Sequence, residues 1–322
     1  MSKHLVQTSS EAFASTEHPP MQWRLKRWMS KSQEIIVPWV FIFPSLLGIT
    51  LFVIVPTLRG FYLSFTDSDL LSHANFIGLA NYEKLIHDPQ FWKSLGITIR
   101  YVLFNIPLQT VLALALALAM SRLTQSVLVR AIIFLPYLIP MLMVMLVWTT
   151  ILHYDFGPIN VLLQMIGGPN ARIGFLNQQW IIPSIAMINT WRHVGYVALL
   201  FFAGLQTIPI ELYEAAAIDG ASEWRIFRSI TLPLLRPVMV FVLITSVIGA
   251  FQVYDSVAVA AVPSGGPGDA TRVIFWYITN LAFTRFNMGY AATVAVALFL
   301  ISMAIAWINM HYFRAGSSDL AD

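Results

Sequence analysis

Apolar residues along this chain gather into six long blocks, with charged and polar residues confined to the stretches between them. The blocks run Ile36–Leu58, Tyr101–Met120, Ala131–Leu152, Ile181–Leu205, Pro237–Ala260 and Gly289–Met310. The hydrocarbon core of a bilayer, about 30 Å thick, is crossed by roughly 20 apolar residues at helical rise. Each block meets that length, so the pattern predicts an all-α membrane protein of six transmembrane helices. Pro44, Pro107, Pro136, Pro140 and Pro183 fall inside the blocks or at their mouths and predict kinks, which membrane helices tolerate when neighbours satisfy the freed carbonyls. A polar tail (1–34) precedes the membrane domain (35–312), and a short tail (313–322) follows it. The first block has no small-residue cleavage pattern, so it reads as an uncleaved anchor.

Composition agrees. Of 322 residues, 57% are hydrophobic and 11% charged, and the mean hydropathy is +0.70. A soluble domain carries about 25% charged residues; this chain has too few to wet a globule. The net charge of +3 is spread along the chain, which excludes a nucleic-acid footprint. With six spans both termini lie on one side. Placing them in the cytoplasm puts eleven basic residues in inner segments and seven in outer ones, with Arg192 inside a span. That bias has the positive-inside sign. Trp23 and Trp28, around Arg24, Lys26 and Arg27, read as an anchor at the inner leaflet.

The chain contains no cysteine. It also lacks a phosphate-binding Gly-x4-Gly-Lys-Ser/Thr loop, a His-Glu-x-x-His pair and a Gly-x-Ser-x-Gly elbow. No catalytic, metal or cofactor site is predicted, and any ATP-driven work has to come from another subunit.

The inner loop between the fourth and fifth blocks is the most structured polar segment. Pro209 suits a first helical position and Glu211 and Glu214 the first turns, where the helix dipole favours negative charge. Ala215, Ala216 and Ala217 favour helix, Asp219 follows, and Gly220 closes it in the left-handed conformation. Ser222 caps a second helix over 223–229, which Leu232-Pro233 stops. The elbow 209–233 thus exposes nearly bare backbone, suited to close approach by another protein.

Glu214-Ala215-Ala216, then Gly220, Ile230 and Leu232-Pro233, match a signature without a gap. The string resembles that of the membrane subunits of binding-protein-dependent ATP-binding-cassette importers. Phe76-Ile77-Gly78-Leu79-Ala80-Asn81-Tyr82, Asp88-Pro89-Gln90-Phe91-Trp92, Ser264-Gly265-Gly266-Pro267 with Thr271, and Gly289-Tyr290-Ala291-Ala292 are similar to outer segments of the carbohydrate-type permeases, such as those for maltose and glycerol phosphate. The resemblance implies the type I importer permease fold in the bacterial inner membrane. It also implies an elbow that couples to an ATPase through Glu214, Ala215, Ala216, Asp219, Gly220, Ile230, Leu232 and Pro233. The partners implied are a second, homologous permease subunit, two ATPase copies, and a periplasmic or lipid-anchored solute-binding protein.

For the transport path, Arg192 is costly at membrane depth, by at least about 2.5–3.5 kcal/mol, and has to face a cavity or a partner. Gln252, Tyr254 and Asp255 on the fifth block lie within reach: counted from the cytoplasmic ends, Arg192 is about 20 Å deep and Asp255 about 27 Å. An Arg192–Asp255 pair joining two spans and a polar lining for the solute are both open readings. Asn105 and Gln109, one turn apart, form a second polar pair. Trp148, Trp191, Tyr196 and Tyr254 are candidates to stack on a sugar ring or to pack. Two other classes stand beside the importer. An ion-coupled transporter requires buried acidic coupling sites and an inverted repeat, and only Asp255 lies at depth. A membrane transferase has no acid–base constellation to support it.

Overall fold

The computed structural model describes residues 37–69, 74–123, 126–260 and 266–314. The tail 1–34, with its tryptophan and arginine anchor, lies outside these residues, as do Ser264, Gly265 and most of the C-terminal tail. The chain divides at Arg59 into two units. The first described helix, α1 (Val37–Leu63), is predominantly apolar and passes through a π-turn at Thr50–Ile54.

From Gly60 onward the regular structure of the described residues is helical apart from one isolated antiparallel bridge, Thr66–Phe76. A short helix α2 (Ala80–Ile86) precedes the long α3 (Pro89–Leu123), which passes through Pro107. Next come α4 (Val127–Leu138) and α5 (Met141–Ile151), the outer helix α6 (Pro158–Gly167), and α7 (Ile181–Leu205). The elbow that follows α7 holds α8 (Ile210–Ile218) and α9 (Glu223–Ile226). Then α10 (Arg236–Phe251) and α11 (Asp255–Ala260) are followed by α12 (Ile274–Thr279) and α13 (Met288–Arg314).

Among the described residues, five helices are long and apolar enough to cross a membrane, and a sixth crossing results if α4 and α5 count as one. That pair corrects the expectation of a merely kinked third span: the two helices meet at 90°. Pro136 and Pro140 are spaced so that Ile139 and Pro140 leave the helix, with ψ of 130° and 135°. A proline withdraws its own N–H and restrains the residue before it to extended backbone. The fifth span is also interrupted, at Gln252–Tyr254 between α10 and α11.

Helices α3 and α7 make the most extensive pairing among the described residues. Asn105 ties them, its Nδ2 donating to the Ala186 carbonyl at 3.2 Å and reaching Thr190 Oγ1 at 3.1 Å. Against the other side of α7 lies α4, brought close by Gly195, where a Cβ would meet the Ile133 carbonyl oxygen at 2.0 Å.

The outer segments are clamped by the motif residues noted above. Asn81 Nδ2 donates to the carbonyls of Ser64 (3.1 Å) and Thr66 (2.8 Å). Gly289 opens α13 with its N–H on the Ser68 carbonyl at 2.9 Å, and a Cβ there would meet the Thr66 oxygen at 2.0 Å. Asp88 Oδ2 receives the hydroxyls of Tyr277 and Tyr290, each at 2.6 Å. Burial alone would raise the Asp88 carboxyl, but the two hydroxyls and the N–H groups of Gln90 and Phe91 outweigh it and hold it below its ordinary value. A carboxyl depressed on folding contributes its stability above the ordinary carboxylate range and loses it as pH falls through the depressed value. The clamp is therefore constant at neutral pH.

Two outcomes follow. Gly289→Val, forced against backbone, lowers the stability of the detergent-solubilised protein by about 2 kcal/mol. Gly96→Ala, with nothing within 4 Å of the new carbon, does not. Thermal unfolding followed by tryptophan fluorescence distinguishes them. Asp88→Asn destabilises at pH 7 by about 1–3 kcal/mol, and the difference from the parent narrows in acid, which the same assay reads across a pH series.

Candidate functional site: a cavity between two broken spans and an inner elbow

A cavity of about 330 Å³ opens beside the two breaks, between α3, α7 and the α10–α11 junction, with Met141 of α5 at its edge. Of the residues singled out from the sequence, Asn105, Gln109, Arg192, Tyr196, Gln252, Tyr254 and Asp255 all line it. Asn189, His193, Ser246 and Ser256 join them. The interruption at Gln252–Tyr254 explains the last group. Because the helix stops there, the five consecutive residues 252–256 all border one space, which a continuous helix would spread around its circumference. Gln109 Nε2 reaches Ser246 Oγ at 3.3 Å and bridges α3 to α10 across the cavity floor.

Arg192 does not pair with Asp255, which corrects the ion-pair reading. Its Nε donates to the Ile139 carbonyl at 2.8 Å and an Nη to the Tyr137 carbonyl at 2.9 Å, while the guanidinium lies 5.1 Å from the centroid of the Tyr137 ring. The reason is the 90° break. Where α4 ends, the carbonyls of Tyr137 and Ile139 lose the helical donors that a continuous span would supply. An unsatisfied carbonyl at membrane depth costs several kcal/mol. Arginine supplies two donors in a fixed fork together with a charge that suits a helix C-terminus. Tyr196 stacks on Tyr137 with centroids 4.6 Å apart, closing the cluster.

Trp191 is likewise misplaced by the sequence reading. It is absent from the cavity wall, packs edge-on against Trp148 at 5.5 Å, and is 40% exposed on the far face of α7. Trp148 is outside the cavity as well. Residues 191 and 192 point about 100° apart on a helix, so only one of them is able to face the break.

At the inner end, the elbow has the expected parts with two corrections. Pro209 is the cap residue before α8, with ψ of 133°, and not the first helical residue. Gly220, at φ 73°, terminates α8: its N–H reaches the Ala217 carbonyl at 3.1 Å, and that of Ala221 reaches Ala216 at 2.9 Å. These paired bonds form the Schellman closure that glycine favours. Ser222 Oγ accepts from the Arg225 N–H at 3.4 Å. The second arm does not stop before Leu232-Pro233. It widens into a π-turn at Phe227–Thr231 and continues to Leu234, the wider turn accommodating a proline that offers no N–H. Ile230, Leu232 and Pro233 are half-buried on this return arm, whereas Glu214, Ala215, Asp219 and Gly220 are exposed and Ala216 is half-buried. Tyr213 Oη lies 3.2 Å from Thr231 Oγ1 and joins the arms, and Arg122 at the end of α3 pairs with Glu223 at 2.5 Å.

Two residues missed from the sequence crown the elbow: Ile218, 86% exposed, and Trp224, 67% exposed. Large apolar side chains in a polar inner loop were the available signal. Large apolar side chains left exposed on a segment rich in alanine are what a partner would cover.

Residues 109–314, which include the elbow and all of the cavity lining except Tyr101 and Asn105, match the family described as binding-protein-dependent transport system inner membrane component. This chain belongs to that family. Relatives among permeases extend over nearly the whole chain. The probable ABC transporter permease YurN of Bacillus subtilis is 33% identical over 298 residues, covering 89% of this chain and 99% of its own. The trehalose/maltose permease MalF of Thermococcus litoralis is 32% identical, covering 88% and 96%. The lactose permease LacF of Rhizobium radiobacter is 34% identical, covering 86% and 93%. In structure, a chain of a bacterial ABC transporter that imports the acidic polysaccharide alginate superposes with a TM-score of 0.76 at 22% identity, covering 90% of this chain and 99% of that one. The chain is thus an ABC importer permease subunit with that fold, membrane-spanning and non-catalytic. The ion-coupled alternative finds no support among these relatives.

Arg192→Met strands two carbonyls and lowers stability by about 2–3 kcal/mol. A second change, Asp255→Leu, gives no rescue, and the double-mutant cycle shows coupling below about 1 kcal/mol. A coupling of several kcal/mol in thermal unfolding would restore the ion-pair reading.

Proposed function

We propose that this subunit forms half of the translocation path of an ATP-driven importer for a carbohydrate: a sugar, oligosaccharide or sugar phosphate. The exposed elbow carries the reading. A helix closed at Gly220, with an alanine surface and Ile218 and Trp224 uncovered, suits insertion into a cleft on an ATPase. The sugar assignment draws on relatives named for trehalose/maltose and lactose, and a cavity rich in amide and hydroxyl side chains is consistent with it.

In this reading two ATPase copies engage the elbows of this subunit and of a second, homologous permease. ATP binding brings the ATPases together, their clefts draw the elbows, and the spans rock until the cavity faces outward. A periplasmic or lipid-anchored solute-binding protein then delivers solute to the outer face; the structural relative has been seen with an alginate-bound periplasmic protein. Hydrolysis takes place on the partners. The chain lies in the bacterial inner membrane with both termini in the cytoplasm, in contact with membrane lipid and without nucleic acid.

The test is co-purification. An ATPase encoded beside this chain is retained by the parent and by Glu83→Gln on the outer face. It is lost with Glu214→Lys, Trp224→Asp or Gly220→Leu, the last placing a branched side chain at a left-handed position that costs about 1–2 kcal/mol. Uptake into proteoliposomes by the chain without any ATPase, driven by an ion gradient, would defeat the proposal.

A further inference from the structure

Three side chains on the cavity wall are able to carry charge: Arg192, His193 and Asp255. All three guanidinium nitrogens of Arg192 are engaged. Two donate to the Ile139 and Tyr137 carbonyls, and the third reaches His193 Nε2 at 3.1 Å. On the other side of the imidazole, Nδ1 lies 2.9 Å from the Asn189 carbonyl. A carbonyl only accepts and a guanidinium only donates. The ring therefore carries its proton on Nδ1 and accepts at Nε2, the neutral tautomer, held from both sides. The Arg192 charge is itself directed at the carbonyl end of α4, where the helix is partially negative, and at the face of Tyr137. The open two-pronged fork by which arginine recognises carboxylates and phosphates is already occupied by backbone.

Asp255 is the reverse case. It opens the half-helix α11, is exposed, and makes no hydrogen bond or ion pair with any described residue. Its neighbours on the wall, Gln252, Tyr254 and Ser256, are neutral. The free charge presented to a solute is therefore negative, and it accepts hydrogen bonds without donating any.

We infer that this cavity takes an uncharged, hydroxyl-rich solute and turns away solutes bearing a carboxylate, phosphate or sulfonate. Hydroxyl groups donate to a carboxylate through bonds roughly twice as strong as neutral ones. An anion meets the like charge of Asp255 and finds the Arg192 fork already taken up by backbone carbonyls and His193. The inference rests on the reading of the cavity as the solute path.

The test uses the full chain purified with its partner subunits, without the solute-binding protein, so that the permease's own preference is read. The probes are methyl α-glucoside and methyl α-glucuronide, which differ only in a hydroxymethyl group against a carboxylate. Saturation-transfer NMR is expected to show the glucoside signal about tenfold stronger than that of the glucuronide. Asp255→Asn and Asp255→Ser, at an exposed unpaired position, narrow that ratio severalfold. Equal signals from both sugars, or a ratio unmoved by either Asp255 variant, overturn the inference. Ser246→Phe, which fills the cavity, separates it from the underlying reading. If both sugars bind equally and both signals vanish with Ser246→Phe, the selectivity is wrong and the path is right. If neither sugar gives a signal that Ser246→Phe removes, the cavity is not the path and both fall.

Discussion

A carbonyl group at membrane depth must find a donor, and this subunit is arranged around that demand. Two of its spans are broken near their middle, at Ile139–Pro140 and at Gln252–Tyr254. Irregular backbone is tolerated there only if it is buried in protein or lines a polar cavity. The first break meets the condition through Arg192, reaching across from the unbroken α7. The second meets it by facing the cavity itself. The charged residue in the bilayer and the hollow between the helices thus have one origin, the prolines and the short interruption that end helices early.

The unbroken pair α3 and α7 is what makes the breaks affordable in conformational terms. Asn105 locks the two helices together, and the missing side chain at Gly195 lets α4 approach closely enough for Arg192, one turn away, to reach its carbonyls. Toward the outside the pair is continued by the Asp88 clamp, which fastens the start of α3 to α12 and α13 through two tyrosine hydroxyls. Toward the inside, the elbow connects α7 directly to α10 in the chain, and Tyr213 and Thr231 hold its arms together. The helices entering and leaving the elbow are therefore those that carry Arg192 and Ser246 of the cavity wall. The elbow and the cavity are thus joined by two continuous backbones, without a chain of side-chain contacts in between.

The spans were legible because a bilayer imposes a length and a composition, and Ile181–Leu205 has the same limits in the sequence pattern and in the structure. The elbow was legible because capping chemistry is local: Ser222 and Gly220 act on residues within a few positions of themselves. Side-chain direction across the bundle was not. Trp191 and Arg192 are adjacent in sequence and equally polar-tipped, and only the course of α4 decides which of them meets the cavity. The partner of Arg192 was hidden for a deeper reason. Charge suggests charge as a partner, so Asp255 was the natural candidate, whereas the group that needed arginine was backbone, which every residue has and no sequence marks. Pro233 illustrates the same limit, since a π-turn that lets a helix run through proline has no composition of its own.

The imidazole of His193 has one more consequence. With one nitrogen committed to a carbonyl and the other to a guanidinium, the ring is a brace between the Asn189 backbone and Arg192, and it fixes the direction in which the guanidinium meets the broken end of α4.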